Sequence, residues 1–204
     1  FESQLDSIFA NPTPGWIAEK LERLTTKIGS GATPRGGEDS YKTEGISLVR
    51  SLNVHDLGFK YSKLAFIDDQ QANELANVTV QRGDVLVNIT GASVARCCVV
   101  PDEVLPARVN QHVSILRPMS QILDSHFLHY ALISNRHKTR LLGIGADGGS
   151  TRQAITKAQL QDFTVDIPPT LDEQTSIVRS LDSYLEETRR LESIYQAKIA
   201  TLDE

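Results

Sequence analysis

Residues 143–156 read GIGADGGSTRQAIT: four glycines within seven residues, then a hydroxyl pair, an arginine and a glutamine. Glycine lets a backbone come close to a ligand and leaves its N–H groups open to an anion. Ser150, Thr151 and the amides of a helix starting near 156 could take phosphate oxygens. Arg152 would add a charge-assisted contact or read guanine bidentately. A flexible turn with a structural arginine fits the same residues. GSGATPRGGEDSYK, 29–42, is a second glycine-rich loop, with Arg35, Tyr41 and Lys42 as candidate contacts or as parts of a solvated loop. Arg108, Asn110, Gln111 and His112 form the densest run of side chains able to read base edges. Asn88, near Thr90 and Ser93, could read adenine or simply belong to a turn. Arg136, Lys138 and Arg140 in NRHKTR suit phosphate contact, or the C-terminal dipole of a helix.

Other chemistries find less support. His126 and His129 have a helical H-x-x-H spacing, but third and fourth ligands are not evident nearby, so no metal site is expected. NPTPGW superficially resembles an adenine-methyltransferase motif, yet it lacks the consecutive prolines and the stacking aromatic. No glycine-rich cofactor fingerprint follows a strand, so a catalytic role is not expected. The adjacent Cys97 and Cys98 read as small buried side chains on a strand, in a reducing compartment.

Charge is unevenly placed. The 204 residues carry a net charge of −5. Residues 161–204 hold ten acidic and four basic residues, whereas 136–157 hold five basic and one acidic. A locally basic surface is therefore expected beside an acidic tail. No apolar run approaches the roughly 20 residues that span a bilayer, and the N-terminal residues lack the pattern of a secretory signal. Phe1 suggests a fragment or a processed chain.

The elements that must position these side chains read as a mixed α/β set. A short amphipathic helix is expected over 1–9 and a second over 15–29. Strands are expected over 46–54, 84–90, 92–100 and 111–118. A helix over 120–143, a short one from Thr156, and an edge strand at 163–169 follow. Residues 171–204 contain neither glycine nor proline. Ile177, Leu181, Tyr184, Thr188, Leu191, Tyr195, Lys198 and Leu202 step by four and three, a heptad seam imperfect at Thr188 and Lys198. Such a helix either pairs with another long helix or lies along its own domain. The candidate interface is Ile177, Leu181, Tyr184, Leu191, Tyr195 and Leu202.

Taken in order, GWIAEKLERL before GSGATPRGG, GDVLVNITGASVARCCVV, ARVNQHVSILRP, GSTRQAITKAQLQDFTVDIPP and LDEQTSIVRSL leading into a long helix resemble one half of a type I restriction–modification specificity subunit. The resemblance implies a mixed α+β target recognition domain over 16–169, preceded by the end of a spacer helix over 1–15. A long coiled-coil spacer would follow over 170–204. It implies a non-catalytic subunit that binds half of a split double-stranded DNA site. Adenine methyltransferase subunits would bring S-adenosylmethionine chemistry, and restriction subunits driven by ATP and magnesium could join. A half subunit would restore the two-domain layout as a homodimer in the prokaryotic cytoplasm. The rival expectation is a coiled-coil scaffold with no DNA ligand.

Overall fold

The computed structural model describes residues 1–146 and 154–201. In chain order the elements are α1 (Glu2–Ala10), β1 (Ile17–Lys20), α2 (Leu21–Leu24), β2 (Thr25–Ser30), β3 (Ile46–Val49), β4 (Val54–His55) and β5 (Gly58–Phe59). There follow β6 (Ala65–Ile67), α3 (Asp69–Glu74), β7 (Thr79–Val80), β8 (Val85–Asn88), β9 (Cys97–Val99), β10 (Ala107–Val109) and β11 (Val113–Pro118). The chain ends with α4 (Ser125–Ile133), α5 (Asn135–Ala146), α6 (Lys157–Asp162), β12 (Thr164–Ile167) and α7 (Leu171–Ala200). Among the described residues no helix is long and apolar enough to cross a membrane.

The architecture is layered. An antiparallel sheet, β2-β11-β8-β9, lies in the middle. Successive strand residues face opposite sides, and here both sides are apolar. Val85, Val87, Cys97 and Leu116 enter a core shared with α4 and the neighbouring helices. Leu86, Cys98, Val113 and Ile115 enter a second core. That core is closed by a mixed sheet, β6-β3-β10-β7, in which β3 and β10 run parallel. The two cysteines are thus reduced, buried, and on opposite faces of one strand. Burial pushes the Cys98 thiol up to about 12 and raises Cys97 as well.

Two expected helices are corrected. The stretch 15–29 is strand, one helical turn, then strand. β1 pairs antiparallel with β12, and β2 with β11, so its partners lie far away in sequence. The helix expected over 120–143 is two helices, broken at Ser134, which leaves the helical backbone at φ −59°, ψ 145°. Its hydroxyl donates to the Ala131 carbonyl at 2.6 Å and bonds His137 Nδ1 at 3.0 Å, so the hydroxyl is satisfied at the buried break. The Thr156 cap forms as a full capping box with Gln159.

α7 begins after Pro168–Pro169, with Thr170 accepting from the Glu173 amide at 3.3 Å. Asp172 and Glu173 in its first turn suit the positive end of the helix dipole. The next residue, Gln174, is buried and ties the helix to the domain. It donates to the Ile122 carbonyl at 3.0 Å and accepts from the Asp124 amide at 2.8 Å. Val178 and Leu181 are buried above it, and Ile177 packs against the same core. Leu181, expected in the coiled-coil seam, is therefore a residue of the domain's own core, because the first half of α7 lies against α4. Ile177 is largely committed in the same way. Further along, Tyr184, Leu191 and Tyr195 are exposed. Leu202 lies outside the described residues. The seam divides: its start packs on its own domain, and its distal part has no cover among the described residues.

Candidate nucleic-acid interface

One end of the central sheet gathers several of the loops that drew attention in the sequence. The Asn110 carbonyl accepts from the Gly31 amide at 3.1 Å, which holds the 31–36 loop against the 110–112 turn. A Cβ on Gly31 would stand 1.8 Å from the Val109 carbonyl oxygen, so only glycine allows this approach. The Ile89 amide donates to the His112 carbonyl at 2.9 Å, and the Ile155 amide to the Ile89 carbonyl at 2.8 Å. Thr90 forms an isolated antiparallel bridge with Ala154. Thr33 donates to Gln111, the Gln111 amide meets His112 Nε2 at 3.1 Å, and His112 Nδ1 meets the Thr90 hydroxyl. A groove of about 470 Å³ lies beside this row, lined by Ser51, Leu52, Thr90, Gly91, Ala92, Ser93, Arg96 and His112.

Several candidates have other duties. Asn88 is fully buried, and its amide donates to the Ser51 carbonyl at 2.9 Å and to Ser93 Oγ at 3.1 Å. It is corrected from a base reader to a loop anchor. Arg108 is buried on β10, donating from Nε to the Ala72 carbonyl and from Nη1 to the Ala107 carbonyl, both at 3.0 Å. Burial lowers its pKa, and its fork points into the protein rather than a groove. Asn110 is buried too, its side chain accepting from the His112 amide at 3.0 Å. It shapes the turn that presents Gln111.

Three cations of the expected basic window are engaged by the protein's own groups. Arg136 pairs with Asp166 at 3.1 Å and donates to the Phe9 carbonyl at 3.3 Å. Lys138 pairs with Asp56. Arg140 donates to Thr164 Oγ1 at 2.7 Å and stacks 4.6 Å above the Phe163 ring. Neighbours remote in sequence thus engage all three cations, two of them through carboxylates. Tyr41 lies under the Arg50 guanidinium at 5.2 Å, and Lys42 pairs with Asp68 at 3.2 Å. These two stand beside the second sheet, where the Lys42 amide donates to the Phe66 carbonyl. The Gln71 backbone N–H first, then Lys42, hold the Asp68 carboxyl below its usual value.

Arg35 and Gln111 are exposed and His112 is half-buried, so these remain available at the sheet end. Ser150, Thr151 and Arg152 lie outside the described residues. The ends of their segment are placed, since the Ala154 amide donates to the Gly145 carbonyl at 3.2 Å and Ala154 bridges to Thr90. Sequence reasoning missed Thr33, Ser51 and Arg96. Arg96 was hidden in a stretch that reads as continuous strand, whereas residues 91–93 form a 3-10 turn that turns Arg96 into the groove's wall. His129, of the H-x-x-H pair, is buried with Nε2 2.8 Å from the Asp56 carbonyl. No group of three or more potential metal ligands occurs among the described residues.

The chain is similar to several known proteins. A Methanocaldococcus jannaschii protein assigned as the MjaX specificity subunit of a type I restriction enzyme is 20% identical over 171 residues, 83% of this chain and 39% of the relative. A solved chain from work on complex assembly and conformational transition of the type I R-M system superposes with a TM-score of 0.71 at 24% identity, covering 98% of this chain and 48% of the other. The crystal structure of the HsdS subunit from Thermoanaerobacter tengcongensis gives 0.66 at 23% identity, with 95% and 44% covered. The chain thus spans less than half the length of these relatives. The family model for the type I restriction modification DNA specificity domain matches residues 20–200, and the chain belongs to that family.

Proposed function

We propose that this chain recognises one half of a split double-stranded DNA site and directs methyltransferase and restriction subunits to it. The observation that carries the reading is the row Thr33–Gln111–His112–Thr90, which joins three loops at one sheet end beside a groove holding Arg96. Family membership supplies the prior that this surface faces DNA. The chain itself is non-catalytic in this proposal and binds no cofactor. S-adenosylmethionine and ATP with magnesium belong to the partner subunits. The distal part of α7 pairs with a second long helix, in a homodimer if the chain acts as a half subunit, and the assembly works in the prokaryotic cytoplasm.

Salt-dependent DNA binding separates this reading from a scaffold without a nucleic-acid ligand. Fluorescence anisotropy with double-stranded DNA should show affinity falling as salt rises. Arg96→Ala should lower affinity evenly across sequences and reduce the logarithmic salt slope by about one. Absence of salt-dependent binding would favour the scaffold.

A further inference from the structure

Gln111 sits at the turn before β11, exposed to solvent. The turn beneath it is fixed. Asn110 donates its amide to the Val49 carbonyl at 3.1 Å, accepts from Gly31 at 3.1 Å, and uses its side chain on the His112 amide at 3.0 Å. The Gln111 side chain has a flanking group on each side. Its carbonyl oxygen accepts from the Thr33 hydroxyl, and its NH2 donates to His112 Nε2 at 3.1 Å. Both ring nitrogens of His112 are engaged, Nε2 by the Gln111 side chain and Nδ1 by the Thr90 hydroxyl. The two flanking groups hold the amide, which in either orientation keeps one acceptor and one donor site open.

We infer that Gln111 reads an adenine in the major groove, with Thr33 and His112 holding its amide in the reading orientation. The inference rests on the DNA-recognition function proposed above. After its two flanking bonds the amide keeps one lone pair on Oε1 and one N–H on Nε2. An acceptor beside a donor complements adenine, whose major-groove edge offers the N6 amino donor beside the N7 acceptor. Guanine offers two acceptors there, cytosine a donor, and thymine an acceptor with a methyl group. The other amides of the candidate set, Asn88 and Asn110, are buried. Among the described residues Gln111 is thus the candidate amide exposed at this surface. Holding the side chain before DNA arrives lowers the entropy lost on binding.

The test is selection from randomised double-stranded DNA with the full chain, followed by sequencing. The wild type should enrich a motif with an A·T position. Gln111→Ala should lose preference at that position by about 5- to 150-fold and keep the others. Gln111→Glu keeps the size but swaps the donor for a second acceptor, so preference there should move toward cytosine. A motif unchanged by either substitution, or lost preference at a position other than A·T, would overturn the inference while leaving DNA recognition intact. No motif from the wild type would withdraw the DNA-reading function and this inference together. Melting curves of the variants check the fold, and at an exposed position both should match the wild type.

Discussion

His129 and His137 are buried, and burial lowers both to a pKa of about 4. An unfolded histidine titrates near 6.5. Between these values the unfolded chain binds more protons than the folded one, so each histidine favours folding fully above about pH 6.5 and loses that contribution as pH falls through 4. His129→Gln keeps an amide N–H for the Asp56 carbonyl and cannot titrate. Denaturant melts of wild type and variant across this range should differ in slope by about one proton, near 1.4 kcal/mol per pH unit. Identical slopes would mean that His129 is already charged in the folded chain. The same residue scale shows what sequence cannot display. Gln111 and Arg35 could be picked out by type and remain exposed. Asn88, Arg108 and Asn110 have equally suitable types, but burial depends on what covers both faces of a strand. β10 is only three residues long, and the Arg108 side chain on it is taken up by the Ala72 carbonyl of α3, 36 residues away in sequence. Part of the apparent basic window is engaged within the fold for a related reason: Asp56 and Asp166, far from it in sequence, pair with Lys138 and Arg136.

At the scale of elements, α7 was legible because it lacks glycine and proline and repeats its apolar residues regularly. Which of those residues face a partner was not legible, since a stripe that packs on its own domain has the same spacing. The fold separates them. Leu181 is buried against the core, so Leu181→Ala should destabilise the chain by about 2–5 kcal/mol through lost burial and a cavity. Leu191 is 47% exposed, so Leu191→Ala should alter the stability of the isolated fold by no more than about 0.5 kcal/mol. Urea melts at low protein concentration measure both. Equal losses would place Leu191 in the domain core and refute the division of the helix. The misread 15–29 stretch teaches the complementary lesson. Its apolar spacing fits a helix, but β12 and β11 supply cross-strand partners that only the folded chain brings near.

At the scale of the whole molecule, the question is what covers the distal part of α7. Leu191, Ile194, Tyr195 and Ile199 are between 40% and 62% exposed. They extend a helix of 30 residues beyond its packing on α4, and an isolated helix of that composition is not stabilised by propensity alone. Leu191 and Tyr195 keep the four-and-three spacing of a helical seam, which Lys198 interrupts. A second copy of the chain would supply an identical stripe related by a two-fold axis, with the two loop clusters held at a separation set by helix length. Light scattering over a range of concentrations should then give twice 22.5 kDa, and Leu191→Glu together with Ile194→Glu should return the mass to one chain without unfolding it. Such a dimer presents the same reading surface twice in opposite directions. Its selected DNA should therefore be an interrupted palindrome, with two copies of one half-site about a fixed gap. A monomer at every concentration would refute self-pairing. The stripe would then await a different helix, and the selected site would have a single half.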